Sequence, residues 1–226
     1  MTINCKGQLI DLSSPKVMGV VNITPDSFYN ESRQQTEASV LATVEQMLKD
    51  GATFIDIGGY SSRPGADDVS VDEELNRVVP MTIAIIKAFP EVIISVDTFR
   101  SNVAKAAVEA GAAIINDISA GHLDPEMIPM IGQLSVPYIM MHMKGNPKTM
   151  QNETNYDNLV KDVISYFAER ITLAHQHQIK DIIIDPGFGF AKTLEQNYTL
   201  LNQLNLLKMI DKPILAGVSR KSMIYK

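Results

Sequence analysis

Seven short apolar runs recur along the chain at a spacing of about one per 30 residues. They are VMGVVNI (17–23), TFIDIGG (53–59), VIISVDT (92–98), AIINDIS (113–119), PYIMMHM (137–143), DIIIDPGF (181–188) and PILAGVS (213–219). The runs are continuous and do not alternate with polar residues. That pattern marks strands buried on both faces of a parallel sheet. Amphipathic segments lie between them. In 36–51, Val40, Val44, Met47 and Leu48 share one helical face and Gly51 supplies a C-terminal cap. Ser70 with Glu73 forms a capping box that opens the next helix, and 101–111 repeats the pattern before Gly111. Longer helices are expected at 157–176 and 194–209, the second capped by Thr193 with Gln196. Strand, loop and helix, repeated, give an α/β protein with a parallel sheet.

Two architectures accommodate seven such units, a doubly wound open sheet or a (β/α)8 TIM barrel. Each run ends in a polar or glycine-rich group: Asn22, Asp56 to Gly59, Asp97, Asn116 with Asp117, His142, Asp185, then Ser219 to Lys221. An open sheet gathers ligand groups at one switch point, whereas a barrel brings every strand end to one mouth. The barrel is therefore expected. Residues 3–12 read as a hairpin around Lys6-Gly7 that plugs the barrel's other end. Residues 1–226 are taken as one barrel domain in which seven strands are visible and the eighth unit is missing from this chain. The first and seventh strands are then expected to keep unpaired edges.

The net charge of −6 argues against nucleic acid or an anionic membrane as partner. Cys5 is the sole cysteine, and neither a leader-like segment nor a spanning apolar stretch is seen, so a cytoplasmic location is expected.

The polar strand ends carry the chemistry. Lys221 lies in GVSRKS beside Arg220, where the alternatives are a solvated pair or a Schiff-base lysine. Asp185 follows a wholly apolar run, so its carboxylate calls for N–H donors, although Asp-Pro-Gly is also turn chemistry. Asn22 reads either as a cap or as an oxygen ligand for a hard cation such as Mg²⁺. Ser61 to Gly65 is a polar loop in which Arg63 suits phosphate oxygens. The histidines show no zinc spacing. Asp97, Asn116, Asp185 and Lys221 together suit a planar heterocycle with an amino-pyrimidinone edge, whose N–H donors, ring acceptors and carbonyl they complement.

MGVVNITPDSF, GGYSSRPG, SVDT, INDIS, MHMKGNPKTMQ, DPGFGFAK and GVSRKS resemble the motifs of the dihydropteroate synthases, in that family's order and over residues 5–226. The resemblance implies a (β/α)8 barrel. It also implies an enzyme of folate biosynthesis, a sulfonamide target, that joins 6-hydroxymethyl-7,8-dihydropterin diphosphate to p-aminobenzoate with Mg²⁺. By position it implies that Asp97, Asn116, Asp185 and Lys221 hold the pterin and that Met141 lines its pocket. Asn22 would take Mg²⁺ and the diphosphate, with Ser62 and Arg63 also on the diphosphate. Phe28, Pro64, Phe190, Lys221 and Ser222 would frame p-aminobenzoate. Asp97, Arg63 and Lys221 would carry the chemistry: diphosphate leaves first, and the aryl amine attacks the resulting pterin cation. A homodimer is implied for the full-length form.

Three departures stand out. Tyr60-Ser61-Ser62 replaces the family's usual Glu-Ser-Thr, Asn30 replaces a carboxylate, and the chain stops before an Arg-x-His. Two other readings compete, a corrinoid-linked methyltransferase domain and a catalytically silent pterin-binding protein. The loops 24–35 and 60–69 are expected to be mobile until diphosphate and Mg²⁺ bind.

Overall fold

The computed structural model describes residues 1–23, 32–60 and 68–225, the side chains of 32–36 excepted. Six parallel strands form one sheet in sequence order: β3 (Met18–Asn22), β4 (Phe54–Gly58), β5 (Ile93–Asp97), β6 (Ile114–Asp117), β7 (Tyr138–Met141) and β8 (Ile182–Asp185). The connecting helices are α1 (Ser32–Lys49), α2 (Val71–Ala88), α3 (Ser101–Glu109), α4 (Met127–Leu134) and α5 (Leu159–Gln176), with α6 (Leu194–Asn202) following β8. Sequential parallel neighbours joined through helices are the layering of a (β/α)8 TIM barrel.

The seventh run is not a full strand. It pairs with β8 through one bridge, Ile184 with Ile214, held by Ile184 N to Pro213 O (2.9 Å) and Leu215 N to Ile184 O (2.8 Å). Among the described residues β3 has a strand neighbour on one side alone, and Val20 at its centre is 58% exposed. The expected unpaired edge is present there.

Alternation along each strand sorts the side chains. Ile55, Ile57, Ile94, Val96, Ile115, Met140, Ile182 and Ile184 face the helices and join the main core. Phe54, Ile93, Ile114, Ile139 and Ile183 form a separate cluster with Ile3, Cys5 and Ile10. The last three belong to an antiparallel hairpin of β1 (Thr2–Cys5) and β2 (Gln8–Asp11). Its turn places Lys6 and Gly7 at positive φ, as a tight two-residue turn requires. The hairpin covers the lower barrel interior, as expected. Asn4 N donates to Asp181 Oδ2 (3.0 Å) and Lys6 Nζ to Gly111 O (3.1 Å), pinning it. Because the floor is apolar, polar lumen residues are confined to the upper layers, at the strands' C-terminal ends.

Both expected capping boxes form, Ser70 with Glu73 on α2 and Thr193 with Gln196 on α6. The segment expected as one helix over 194–209 divides into α6 and a 3-10 helix over Leu204–Ile210. Helix α4 lies outside the helices expected from the pattern. It carries Pro129 in its first turn, where the missing N–H costs nothing, and Gly132, where a Cβ would lie 2.2 Å from the His177 carbonyl oxygen. Of two residues that usually punctuate helices, Pro129 is tolerated here and Gly132 is a steric requirement. Residues 219–220 and 222–224 form turns, with Ile224 N bonding Lys221 O (2.9 Å).

Candidate active site

The upper lumen is built from neighbouring strand ends. Asp97 of β5 stands beside Gly58 of β4 and Asn116 of β6, while Met141 of β7 stands beside Asp185 of β8. A Cβ at Gly58 would make ordinary contact with Asp97 Cβ, at 3.4 Å. Asn116 Nδ2 donates to Asp56 Oδ2 at 3.2 Å. Asp56 lies on the lumen face one layer below Gly58, two residues along β4, and is 3% exposed. Its second oxygen, Oδ1, has no hydrogen-bond partner among the described residues, nor does the hydroxyl of Ser95, its register partner.

Asp117 is a different case from Asn116, although both interrupt the same apolar run. Its side chain points to the helix layer. Oδ1 accepts from Ser119 N (2.7 Å) and Ser119 Oγ (2.8 Å), and Oδ2 accepts from Gly121 N (2.7 Å) and Tyr138 Oη (2.6 Å). Asp117 shapes the loop after β6 and has no capacity left for a ligand.

The lumen carboxylates have little to balance them. Burial, and then the charge of Asp185, pushes Asp56 up to about 6, against the pull of Ser95 and Asn116. Burial, then Asp56 and further carboxylates, raises Asp97 well above the usual range. Burial raises Asp185 as well, opposed by Gly187 N–H and by the ammonium groups of Lys221 and Lys192. Among the described residues, Asp56 and Asp97 are short of N–H donors and of positive charge.

Lys221 approaches from the last turn. Its Nζ donates to Phe188 O, lies 5.0 Å from the Phe190 ring centroid, and is lowered by burial while Asp185 draws it up. Phe190 packs on a small apolar cluster of Ile118, Met141, Met143, Met150 and Ala191. Met141 and Phe190 therefore form a flat apolar wall next to the carboxylates. Ser222 is exposed beside Lys221, and Asn22 is exposed at the end of β3 in register with Gly58. Phe28, Asn30, Ser62, Arg63 and Pro64, and most of the loops 24–35 and 60–69, lie outside the described residues. The structure thus brings together Asp97, Asn116, Met141, Asp185, Phe190 and Lys221, with Asn22 and Ser222 nearby.

Sequence reasoning missed two residues of this assembly. Asp56 appears in the sequence as part of the polar group Asp56 to Gly59 but was given no role; a lone carboxylate in TFIDIGG was the available signal. Lys192 closes the motif DPGFGFAK without a role of its own in the sequence, yet is 7% exposed. Its Nζ meets His142 Nδ1 (3.0 Å), Gly187 O (3.0 Å) and Phe190 O (2.9 Å). His142 is 1% exposed, and burial with the Lys192 charge takes it down to about 2, so its ring is neutral.

The family described as "Pterin binding enzyme" matches residues 18–226. The chain is 43% identical to the dihydropteroate synthase of Escherichia coli (strain K12) over 226 residues, covering 99% of this chain and 79% of that one. The chain belongs to the pterin binding enzyme family. Solved members superpose closely. The Xanthomonas albilineans dihydropteroate synthase with 4-aminobenzoic acid matches with a TM-score of 0.89 and 40% identity, over 99% of this chain and 80% of that chain. The Yersinia pestis dihydropteroate synthase in complex with a sulfonamide drug matches with a TM-score of 0.90 and 41% identity, over 99% and 81%.

Proposed function

We propose that this chain is an enzyme carrying out the dihydropteroate synthase reaction of folate biosynthesis. The bond from the pterin's methylene carbon to the diphosphate oxygen breaks, its electron pair leaving with diphosphate. The amino nitrogen of p-aminobenzoate bonds to that carbon and loses a proton, giving 7,8-dihydropteroate and diphosphate. One observation carries this reading: Asp56, Asp97 and Asp185 crowd one lumen, and among the described residues Asp56 and Asp97 have no cation or N–H donor beyond the Asn116 amide. An aminopyrimidinone ring supplies adjacent N–H donors, and a pterin losing diphosphate supplies positive charge. Asp97 and Asp185 bind and orient the ring, and their fixed charges favour the electron-poor state in which the C–O bond is breaking. Asn116 can both donate and accept toward the same edge. Lys221 meets the ring's carbonyl side, and Met141 and Phe190 exclude water from its faces. The aryl amine is already a free base at neutral pH, so no general base is required.

Mg²⁺ belongs to this reading. Among the described residues no group of three or more His, Cys, Asp and Glu is arranged to hold a metal. Mg²⁺ keeps several waters and takes one or two protein oxygens plus substrate phosphates. Asn22, exposed at the mouth, offers one such oxygen, and the ion when bound would neutralise the leaving diphosphate. Arg63 and Ser62 would grip the same diphosphate.

No helix among the described residues is long and apolar enough to cross a membrane. A cytoplasmic location is supported by the single cysteine, and a homodimer is carried over from the family resemblance.

Incubation with the pterin diphosphate, p-aminobenzoate and Mg²⁺ should release diphosphate and form dihydropteroate in equal amounts. Pterin binding without release would identify a silent binder. Methyl transfer to a corrinoid would identify the methyltransferase alternative.

A further inference from the structure

Lys192 is buried behind the pocket, and nothing above gives it a task. It closes the loop over 186–192 that joins β8 to α6. An ammonium has three hydrogens, and three acceptors stand at 2.9–3.0 Å: His142 Nδ1, Gly187 O and Phe190 O. A neutral amine would turn a lone pair toward one of them, so the geometry suits the charged form. No carboxylate lies within ion-pairing distance of Nζ among the described residues. A cation held by two carbonyls and a neutral imidazole nitrogen, at 7% exposure, is costly to keep, so it calls for a purpose beyond packing.

The connections run to Asp185. Gly187 N donates to Asp185 Oδ1 at 2.8 Å, and the carbonyl of the same residue is held by Lys192. Gly187 has φ +68°, and a Cβ there would lie 2.2 Å from the His142 carbonyl oxygen, so the turn is wedged against the end of β7. Phe190 O is fixed by Lys192, and Phe188 O by Lys221. Lys192 and Lys221 thus grip the carbonyls of one loop at different points, and that loop presents both the Asp185 carboxylate and the Phe190 ring.

We propose that Lys192 is a positioning residue of the pterin site, a buried cation that keeps Asp185 ionised and holds its loop in the ligand-ready shape. This rests on the pterin-binding reading above. The groups facing Lys192 are Asp185, Lys221, Lys144 and His142, and those facing Asp185 are Lys221, Lys192, Asp56 and Asp97. His142 stays neutral throughout, so it does not titrate in the relevant range. Burial brings Lys192 down to about 7, with Asp185 opposing the fall. The Lys192 charge in turn lowers Asp185.

The probe is pterin-6-carboxylate, with binding followed by calorimetry from pH 5 to 9 and corrected for ionisation of the free pterin. Lys192→Met removes charge and donors, whereas Lys192→Gln removes the charge and keeps N–H donors. In both variants the acid limb, where affinity falls as Asp185 protonates, should move to higher pH. A shift of about one unit leaves affinity roughly tenfold weaker on the acid side of the limb. A residue needed for packing alone would weaken binding equally at every pH. An acid limb unmoved in a folded variant overturns the proposal. Should neither variant fold, the wild type decides: its affinity should fall above about pH 7 as Lys192 loses its proton, and a flat profile refutes the role. A wild type that binds no pterin at any pH would instead remove the pterin-binding reading.

Discussion

Replacing Asp56 with asparagine should make the protein more stable and less able to bind pterin. Asp56 is 3% exposed, one of its oxygens lacks a partner, and its carboxyl is raised from 3.8 to about 6. Burial is the first cause, and the Asp185 charge adds to it. In the unfolded chain the group has its ordinary value, so between about pH 4 and 6 the folded state binds more protons than the unfolded state. Stability therefore falls as pH rises through that window. A shift of about two units at about 1.4 kcal/mol each makes the cost on the order of 3 kcal/mol above pH 6. Asp56→Asn keeps the shape and an acceptor for Asn116 Nδ2 and removes the charge. It also relieves Asp97, which Asp56 raises. For a chain of this size, 3 kcal/mol corresponds to roughly 5–10 °C in Tm. Thermal melts of both proteins at pH 4 and pH 7.5 provide the assay. Tm values should be close at pH 4, and the variant should be the more stable at pH 7.5. A Tm difference that does not grow with pH, or a variant less stable at pH 7.5, would show that Asp56 is not a strained charge. The same substitution should weaken pterin binding, because a carboxylate that anchors Asn116 has been neutralised.

Three further outcomes follow from the site. Asp185→Asn should weaken pterin binding by about 2–3 kcal/mol in calorimetry, because an amide cannot accept two N–H donors in the carboxylate's geometry. Tyr138→Phe removes the 2.6 Å bond to Asp117 Oδ2 and should lower stability by roughly 1.5–3 kcal/mol in denaturant melts; pterin affinity should hold, since Asp117 faces the helices. Binding of p-aminobenzoate by equilibrium dialysis should be negligible until diphosphate and Mg²⁺ are added, and equal affinity without them would remove ordered assembly from the scheme.

Much of this arrangement was legible in the residues because local chemistry and tertiary structure agree. Lys6-Gly7 between short apolar runs is a tight turn wherever it occurs, and the two capping boxes need only residues three apart. The continuous runs announced strands covered on both faces. What a continuous run conceals is which face each residue takes. Asn116 and Asp117 are adjacent, yet alternation sends one to the ligand and the other to Tyr138 and the loop after β6. Asp56 is inconspicuous for the same reason: its importance depends on Asn116 and Asp185, 60 and 129 positions away. Lys192 does not stand out in the sequence because two of its three acceptors are backbone carbonyls, which every residue has. Helix α4 was hidden by Pro129 and Gly132, whose roles depend on a helix start and on the His177 carbonyl. The seventh run shrank to one bridge because apolar composition states a preference for a sheet, not the presence of a partner strand.

The hairpin under the barrel bears on how the molecule folds. Ile3, Cys5 and Ile10 are buried against Phe54, Ile93, Ile114, Ile139 and Ile183, and Asn4 is tied to Asp181 across 177 positions. The surface the hairpin seats on exists only after five strands have aligned their lower ends. A segment that precedes all of those strands in the chain must therefore wait for them. Its closure spans most of the polypeptide, so it adds long-range contacts whose entropy is lost before their burial is gained. Docking of the hairpin belongs to the last stage of folding. Unfolding should begin by its release, leaving the lower core open to water before any strand has separated.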